Sequence, residues 1–164
     1  MLQRFPDVSL KDKTLKELMG MEGFRMRELY EEKAALYQVG WKGRRYVPGK
    51  MELSDTANRI MTSCNAALYG IVCSAIHSMG FSPHIGFVHS GSPLPFVYDV
   101  ADLYKEQTSV DLAFFLTREL AGTYDKVVVA EAFKTRVLEI GLLKRLGEDI
   151  PKLLGVRHVS SDSE

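Results

Sequence analysis

The chain has 164 residues, 46% of them hydrophobic and 26% charged, and its 21 basic and 21 acidic side chains cancel to a formal net charge of zero. This is the composition of an ordinary globular protein, so we expect one domain over residues 1–155 and a polar tail over 156–164. A neutral chain has no overall basic field, and any nucleic-acid contact must come from a local patch. The chain begins without a signal-peptide pattern, and its most apolar window, residues 66–76, falls short of a membrane span. We therefore expect a cytoplasmic protein that does not contact a membrane.

Helix signals recur along the chain and predict a mainly α fold, a compact helical bundle. The first signal is TLKE at Thr14–Glu17, which has the spacing of a capping box, so a helix is expected to begin near Leu15. Gly20 and Gly23 then precede a run of strong helix formers, which places Glu22 at or near a helix opening.

The next segment, residues 39–50, lacks helical periodicity and contains glycine, proline and aromatic residues, which predicts a loop or short hairpin. It carries four positive charges and no negative one. Lys42, Arg44 and Arg45 could hold phosphates while Trp41 or Tyr46 packs on a base or sugar. The alternative is an ordinary solvated loop.

The rest of the chain is predicted to be largely helical. Ser54 or Asp55 can cap a helix that is apolar on most faces and is expected to be central to the fold. Cys64 and Cys73 lie on opposite faces of that helix, which favours small core residues in a reducing compartment over a disulfide or a zinc pair. Tyr69, midway along, is by default a core tyrosine. The predicted helices cover residues 57–79, 96–105, 111–120 and 124–146.

One loop interrupts this helical pattern with residues suited to chemistry. Residues 86–94, GFVHSGSPL, free His89 from helical geometry, and Asp99 and Asp102 then share one face of the following helix at i and i+3. An imidazole with two carboxylates suits Mg²⁺ or Mn²⁺ better than structural zinc. The alternative is a loop histidine beside a solvated helix face.

Three blocks of the sequence, taken in order, resemble one known family. They are MGMEGFRMRELYE, WKGRRY followed by LYG, and IGFVHSGSPLPFVYDVADLYK. Together they resemble the CRISPR-associated spacer-acquisition integrase, a metal-dependent DNA endonuclease and integrase with a helical catalytic domain. The resemblance is carried by motifs between about Leu15 and Lys105.

The resemblance implies a role for several residues. The glutamate of the MEG motif is Glu22, the histidine of GFVH is His89 and the last aspartate of DVAD is Asp102, and these imply a site for Mg²⁺ or Mn²⁺. Asp99 matches a further acidic residue needed for activity, which could orient a metal ligand or a metal-bound water. Tyr69 matches a tyrosine near the active site.

The resemblance also implies which residues contact DNA and what the partners are. Tyr46 matches a second tyrosine near the active site, and Arg44, Arg45 and Lys105 match basic residues presented to DNA. The partners implied are double-stranded and branched DNA, as prespacer and CRISPR repeat, a small ferredoxin-like adaptation subunit, and a second copy of the chain.

Family members carry an N-terminal β-rich domain that pairs two copies, and this sequence is expected to represent the catalytic domain without it. The chemistry implied is attack of a DNA 3′-hydroxyl on a phosphodiester at the edge of a repeat. The alternative is a non-catalytic helical module that binds DNA or an adaptation partner.

Overall fold

The computed structural model describes residues 13–46, 49–89 and 91–156, and every regular element within them is helical. The prediction of a mainly α fold is therefore confirmed. A 3-10 turn, Met51–Leu53, precedes the second helix, and a π-helical turn, Glu106–Val110, leads into the fourth. The six α-helices are α1 (Leu15–Tyr37), α2 (Thr56–Ser78), α3 (Pro95–Asp102), α4 (Asp111–Glu119), α5 (Lys126–Glu139) and α6 (Leu142–Leu153).

The chain divides into two compact units, residues 1–44 and residues 45–164. The first contains α1 and the start of the basic loop, and the second contains the other five helices. The expectation of a single helical domain over residues 1–155 stays a prediction. The tail expected at 156–164 lies outside the described residues, apart from Val156.

The capping box predicted for α1 is confirmed. The Thr14 hydroxyl accepts the backbone N–H of Glu17 at 3.3 Å, and the Thr14 backbone N–H donates to the Glu17 carboxylate at 2.7 Å. The placement of Glu22 at a helix opening is wrong, because α1 continues through Gly20 and Gly23. An interior glycine costs a helix about 1 kcal/mol, which a capped helix rich in strong helix formers tolerates.

The second unit is built around α2, as predicted. Asp55 caps the helix by accepting the Asn58 backbone N–H at 2.9 Å. A stripe at helical spacing is then buried, and α3, the π-helical turn, α4, α5 and α6 all pack against α2. The fully buried members of the stripe include Ile60, Met61, Cys64, Leu68, Val72 and Ile76.

By length and composition, α2 could also cross a membrane, with 23 residues and a mean hydropathy of 1.3 over its most apolar 18. The expectation that this segment falls short of a span is thus wrong on length. A central core helix has the same composition, and the buried stripe of α2 accounts for it. The absence of membrane contact stays a prediction.

The two cysteines behave differently. Cys64 is buried in the core, and burial raises the pKa of its thiol to about 12. Cys73 is half-buried, with its Sγ 3.5 Å from Nδ1 of His77. A thiol whose ionisation is this unfavourable is chemically inert, so Cys64 acts as a small core residue.

The single helix expected over 124–146 is in fact two. Gly141 adopts a left-handed conformation, with φ of 60°, and separates α5 from α6. Glycine reaches this region without the steric cost that a Cβ brings, so it ends helices readily. The apolar periodicity resumes beyond it, which is why sequence pattern alone did not show the break.

Candidate functional site

The loop before α3 folds around the carboxylate of Asp99. This carboxylate accepts the backbone N–H groups of Phe87 at 2.5 Å, Val88 at 3.1 Å and His89 at 3.1 Å. It also contacts Nδ1 of the His89 ring at 2.6 Å. The Asp99 side chain is only 9% exposed. One side chain from the first turns of α3 thus holds three consecutive loop residues in place.

These contacts decide the charge of Asp99. Burial alone would raise the pKa of its carboxyl, but the hydrogen bonds from the His89 ring and the three backbone N–H groups outweigh burial and lower the pKa. An ionised carboxylate can only accept hydrogen bonds, so Nδ1 of His89 must carry the proton it donates. In the neutral ring, the lone pair is then on Nε2.

Gly86 allows the loop to approach α3 this closely. A Cβ at this position would lie 2.5 Å from Cβ of Pro95, 2.8 Å from its carbonyl carbon and 3.0 Å from Oδ2 of Asp99. Pro95 occupies the first turn of α3, where its fixed φ suits the helix. No side chain larger than hydrogen fits at Gly86 without moving the loop away from Asp99.

The other ring nitrogen of His89 faces Asp102. Nε2 lies 3.5 Å from Oδ2 of Asp102, at the C-terminal end of α3. The structure therefore brings His89, Asp99 and Asp102 together as predicted, but the two carboxylates contact opposite ring nitrogens. A carboxylate that fixes the tautomer and leaves the second nitrogen available is typical of metal-binding histidines.

Within residues 13–46, 49–89 and 91–156, no group of three or more histidine, cysteine, aspartate or glutamate side chains is arranged to hold a metal ion. On the side of the His89 ring opposite Asp99, the possible metal donors are Nε2 and the Asp102 carboxylate. They account for two of the three ligands that the resemblance implies.

Lys105 lies one turn beyond Asp102. Its ammonium is 2.5 Å from Oδ1 of Asp102 and 5.1 Å from the centre of the Tyr69 ring. Burial opposes the charge of Lys105, but the attraction of Asp102 and the hydrogen bonds to Asp102 and Tyr69 outweigh it, and the pKa is raised. Lys105 therefore stays cationic at neutral pH, beside the ring and carboxylate of the candidate site.

Two tyrosines complete this cluster. Tyr69 of α2 packs edge-on against Tyr98 of α3, with ring centres 4.9 Å apart, and Tyr98 in turn lies 5.9 Å from the His89 ring. Tyr69 is half-buried, so it borders the site as well as the core. Tyr98 was missed by sequence reasoning, although its i, i+4 spacing to Asp102 places both on one face of α3.

Glu22 belongs to the first unit and is held by Arg25. The guanidinium donates from Nη2 to one carboxylate oxygen at 3.0 Å and from Nε to the other at 3.2 Å. This bidentate ion pair is partly buried, with 18% of the Glu22 side chain exposed. That Glu22 joins His89 and Asp102 at one ion stays a prediction.

The basic loop spans the boundary of the two units. In the first unit, exposed Lys42 and half-buried Arg44 line an open groove of about 930 Å³. Trp41 and Tyr30 line the same groove, and their ring centres are 5.4 Å apart. The DNA contacts predicted for Lys42 and Arg44 stay predictions. The groove that these residues line combines cationic side chains with aromatic rings.

The second unit begins with Arg45 and Tyr46, both exposed. The Arg45 backbone N–H donates to the Asn58 side chain at 2.9 Å, which anchors this end of the loop to the start of α2. Tyr46 is 62% exposed, so its ring is accessible to a ligand. Their DNA contacts likewise stay predictions.

Comparison with known proteins identifies the family. Residues 2–131 match the profile of the family described as CRISPR associated protein Cas1. The chain belongs to the Cas1 family. Among its relatives, CRISPR-associated endonuclease Cas1 2 of Chlorobaculum tepidum is 62% identical over 158 residues, covering 96% of this chain and 53% of that protein. CRISPR-associated endonuclease Cas1 of Escherichia coli is 42% identical, covering 76% of this chain and 41% of its own length.

Solved structures agree with this Cas1 assignment. A crystal structure of a TtCas1–DNA complex superposes with a TM-score of 0.79 at 37% identity, covering 92% of this chain and 56% of that one. A crystal structure of TtCas1 gives a TM-score of 0.77 at 34% identity, covering 98% and 58%. The predicted family resemblance is confirmed, and the chain spans about half the length of the curated relatives it matches.

Proposed function

We propose that this Cas1 chain is a metal-dependent DNA endonuclease and integrase domain that joins a DNA 3′-hydroxyl to a phosphodiester at the edge of a CRISPR repeat. The observation that carries the proposal is the arrangement of His89, with Asp99 on Nδ1 at 2.6 Å and Asp102 facing Nε2 at 3.5 Å. Relatives that match almost the whole chain are named CRISPR-associated endonucleases, which supports the endonuclease part of the proposal.

The donors at this site fit a hard divalent cation. Nε2 of His89 and Oδ2 of Asp102 lie 3.5 Å apart, which is close enough for both atoms to bind one ion. Nitrogen and oxygen donors suit Mg²⁺ and Mn²⁺. His89 and Asp102 would hold the ion, with Glu22 as the third ligand that the resemblance implies. Such an ion would lower the pKa of the attacking hydroxyl and offset charge on the phosphate.

The chain's own residues position the reacting groups. Asp99 fixes the tautomer and orientation of His89, and the Lys105 ammonium supplies a positive charge beside the phosphate position. The Tyr69 hydroxyl would donate a hydrogen bond to the attacking or leaving oxygen. A covalent tyrosine intermediate is not needed, because the DNA 3′-hydroxyl is itself the nucleophile.

We propose double-stranded and branched DNA as the substrate. Support comes from the basic loop, in which Lys42, Arg45 and Tyr46 are exposed and Arg44 is half-buried, and from a similar structure described as a TtCas1–DNA complex. The ferredoxin-like adaptation subunit, pairing with a second copy and a cytoplasmic location belong to the same proposal. They rest on the family resemblance.

One observation favours the alternative of a non-catalytic module that binds DNA or an adaptation partner. Each carboxylate proposed as a ligand already lies beside a cationic side chain, since Glu22 pairs with Arg25 at 3.0 Å and Asp102 with Lys105 at 2.5 Å. Neutralised carboxylates attract a metal ion less strongly. In this alternative, the same residues serve only to hold the fold.

A cleavage assay separates the two. The proposal expects nicking or strand transfer on branched DNA with Mn²⁺, reduced at least about a hundredfold in His89→Ala and in Asp102→Asn, with DNA binding retained. The matched control is Glu131→Gln, which also removes one negative charge but from a side chain 68% exposed. Tight DNA binding without metal-dependent cleavage in the wild type would establish the alternative.

A further inference from the structure

We propose that Asp149 of α6 is a positioning residue for the candidate site, because it anchors Tyr104 and thereby orients the next residue, Lys105, toward Asp102. The inference rests on the proposed role of Lys105 beside the reacting phosphate. Asp149 lies 45 residues from Tyr104 along the chain, well outside the motifs that predicted the site. A helix with no predicted site residue would then help to arrange the site.

Lys105 lies where the winding of the helical backbone changes. α3 ends at Asp102, and the backbone N–H groups of Leu103 and Tyr104 donate to carbonyls three residues earlier, at 3.1 and 2.9 Å. The π-helical turn, whose hydrogen bonds span five residues, then begins at Glu106. A tight turn followed by a wide one rotates successive side chains by angles that differ from those of a regular α-helix. The direction of Lys105 therefore depends on the contacts that hold this segment.

Tyr104 holds the segment to α6. It is fully buried, and its hydroxyl donates to Oδ2 of Asp149 at 2.7 Å. The Arg145 guanidinium lies over the Tyr104 ring, 5.0 Å from its centre, and donates to the Gln107 side chain at 2.7 Å. Burial raises the pKa of the Tyr104 hydroxyl, which therefore stays protonated and remains a donor. The face and the hydroxyl of the ring are thus both held by α6.

Tyr104 and Lys105 are neighbours along the chain but contact different parts of the fold. The Lys105 ammonium lies 2.5 Å from Asp102 and 5.1 Å from the centre of the Tyr69 ring. The lysine side chain is flexible, so its ammonium meets both groups only if the adjacent backbone is fixed. A phenylalanine at position 104 would fill the same space in the core, whereas a buried hydroxyl with one acceptor specifies one position of the ring.

The first measurement follows Lys105 itself in the full chain, without DNA or metal. Acetic anhydride labels lysine amines, and mass spectrometry gives the labelling rate of each lysine. In the wild type, Lys105 should react slowly compared with Lys134, because the side chains are 20% and 67% exposed. Tyr104→Phe and Asp149→Leu should each raise the Lys105 rate, relative to Lys134, about threefold to tenfold.

Two control variants separate positioning from a general loss of stability. Asp149→Asn removes the same negative charge as Asp149→Leu but keeps an acceptor for the Tyr104 hydroxyl, so the Lys105 rate should stay within about twofold of the wild type. Tyr124→Phe also removes a tyrosine hydroxyl, in this case from a 2.8 Å hydrogen bond with Ser63 that joins the segment before α5 to α2. It should leave the Lys105 rate unchanged.

Cleavage of branched DNA with Mn²⁺ is the second measurement. Tyr104→Phe should lower the rate at saturating DNA about threefold to tenfold. That loss should disappear in a Lys105→Met background, because the Tyr104 hydroxyl acts through Lys105. An equal loss in both backgrounds would overturn the proposal, since Tyr104 would then act on the fold as a whole.

The labelling rates also decide the proposal without any cleavage. An unchanged Lys105 rate in Tyr104→Phe and Asp149→Leu would overturn it, and so would an equal rise in Tyr124→Phe. If the Lys105 rate follows the hydrogen bond between Tyr104 and Asp149 while the wild type does not cut DNA with Mn²⁺, the positioning of Lys105 by Asp149 stands and the proposed catalysis fails.

Discussion

Replacing Asp99 by asparagine tests whether its carboxylate organises the site. In the native structure one oxygen accepts Phe87 and Val88, and the other accepts the His89 backbone and ring. An asparagine keeps one oxygen and presents an NH₂ group in place of the other. If the amide nitrogen faces Phe87 and Val88, two backbone N–H donors lose their acceptor; if it faces His89, the ring can move its proton to Nε2 and accept from the amide, and the His89 backbone N–H alone loses its acceptor.

The magnitude follows from the backbone N–H donors that lose their acceptor. A buried donor left without a partner costs about 1–3 kcal/mol, and water reaches part of this loop, so we expect Asp99→Asn to lower the free energy of unfolding by about 3 kcal/mol. For a chain of this length, that corresponds to a fall in Tm of about 9 °C. Urea titration followed by circular dichroism measures the first, and a thermal melt the second. Glu131→Gln, the exposed control, should change stability by less than about 0.5 kcal/mol.

The pH dependence gives a second readout. Because the folded-state pKa of Asp99 is lowered, its contribution to stability is present above the unfolded pKa and is lost as pH falls through the folded pKa. The wild type should therefore have a higher free energy of unfolding than Asp99→Asn at pH 7, where the whole difference is present. That difference should shrink below about pH 4. An Asn variant as stable as the wild type at pH 7, or a difference that persists unchanged in acid, would refute the assignment of Asp99 as the organising group.

Three further predictions follow from the same geometry. Gly86→Ala should destabilise the chain by about 1–3 kcal/mol and reduce cleavage, because its Cβ meets Pro95; an unchanged melt would show that the loop moves freely. Neutralising Lys42, Arg44 and Arg45 to Gln should weaken DNA binding regardless of sequence and flatten its salt dependence, measured by anisotropy from 50 to 200 mM salt; an unchanged slope would make this an ordinary solvated loop. Mn²⁺ should raise the Tm by mass action, and His89→Ala should abolish that rise; an equal rise in the variant would place the ion elsewhere.

Features that depend on neighbours along the chain could be predicted from the amino-acid sequence. The Thr14–Glu17 capping box, a cap for α2 at Ser54 or Asp55, and the apolar stripe of α2 all depend on residues three or four positions apart, a spacing that a helix places together wherever it forms. The spacing of the sequence and the family motifs likewise predicted that His89, Asp99 and Asp102 belong to one candidate site.

Local sequence pattern did not predict whether a glycine continues a helix or ends it. Gly20 and Gly23 lie inside α1, whereas Gly141, with its left-handed φ, separates α5 from α6. The same residue type is tolerated in one helix and ends another, because packing of the flanking apolar residues decides whether the helix continues. Beyond the turn at Gly141, α6 packs on α2.

The contacts between the side chains of the site could be seen only in the tertiary structure. The loop of Phe87 and His89 reaches Asp99 across 10 to 12 residues, and Lys105 reaches the ring of Tyr69 on another helix. Sequence spacing places Asp99 and Asp102 on one helix face, but it does not say that they take opposite nitrogens of His89. That choice depends on the close approach of Gly86 to Pro95 and on three backbone N–H groups that need an acceptor once water is excluded.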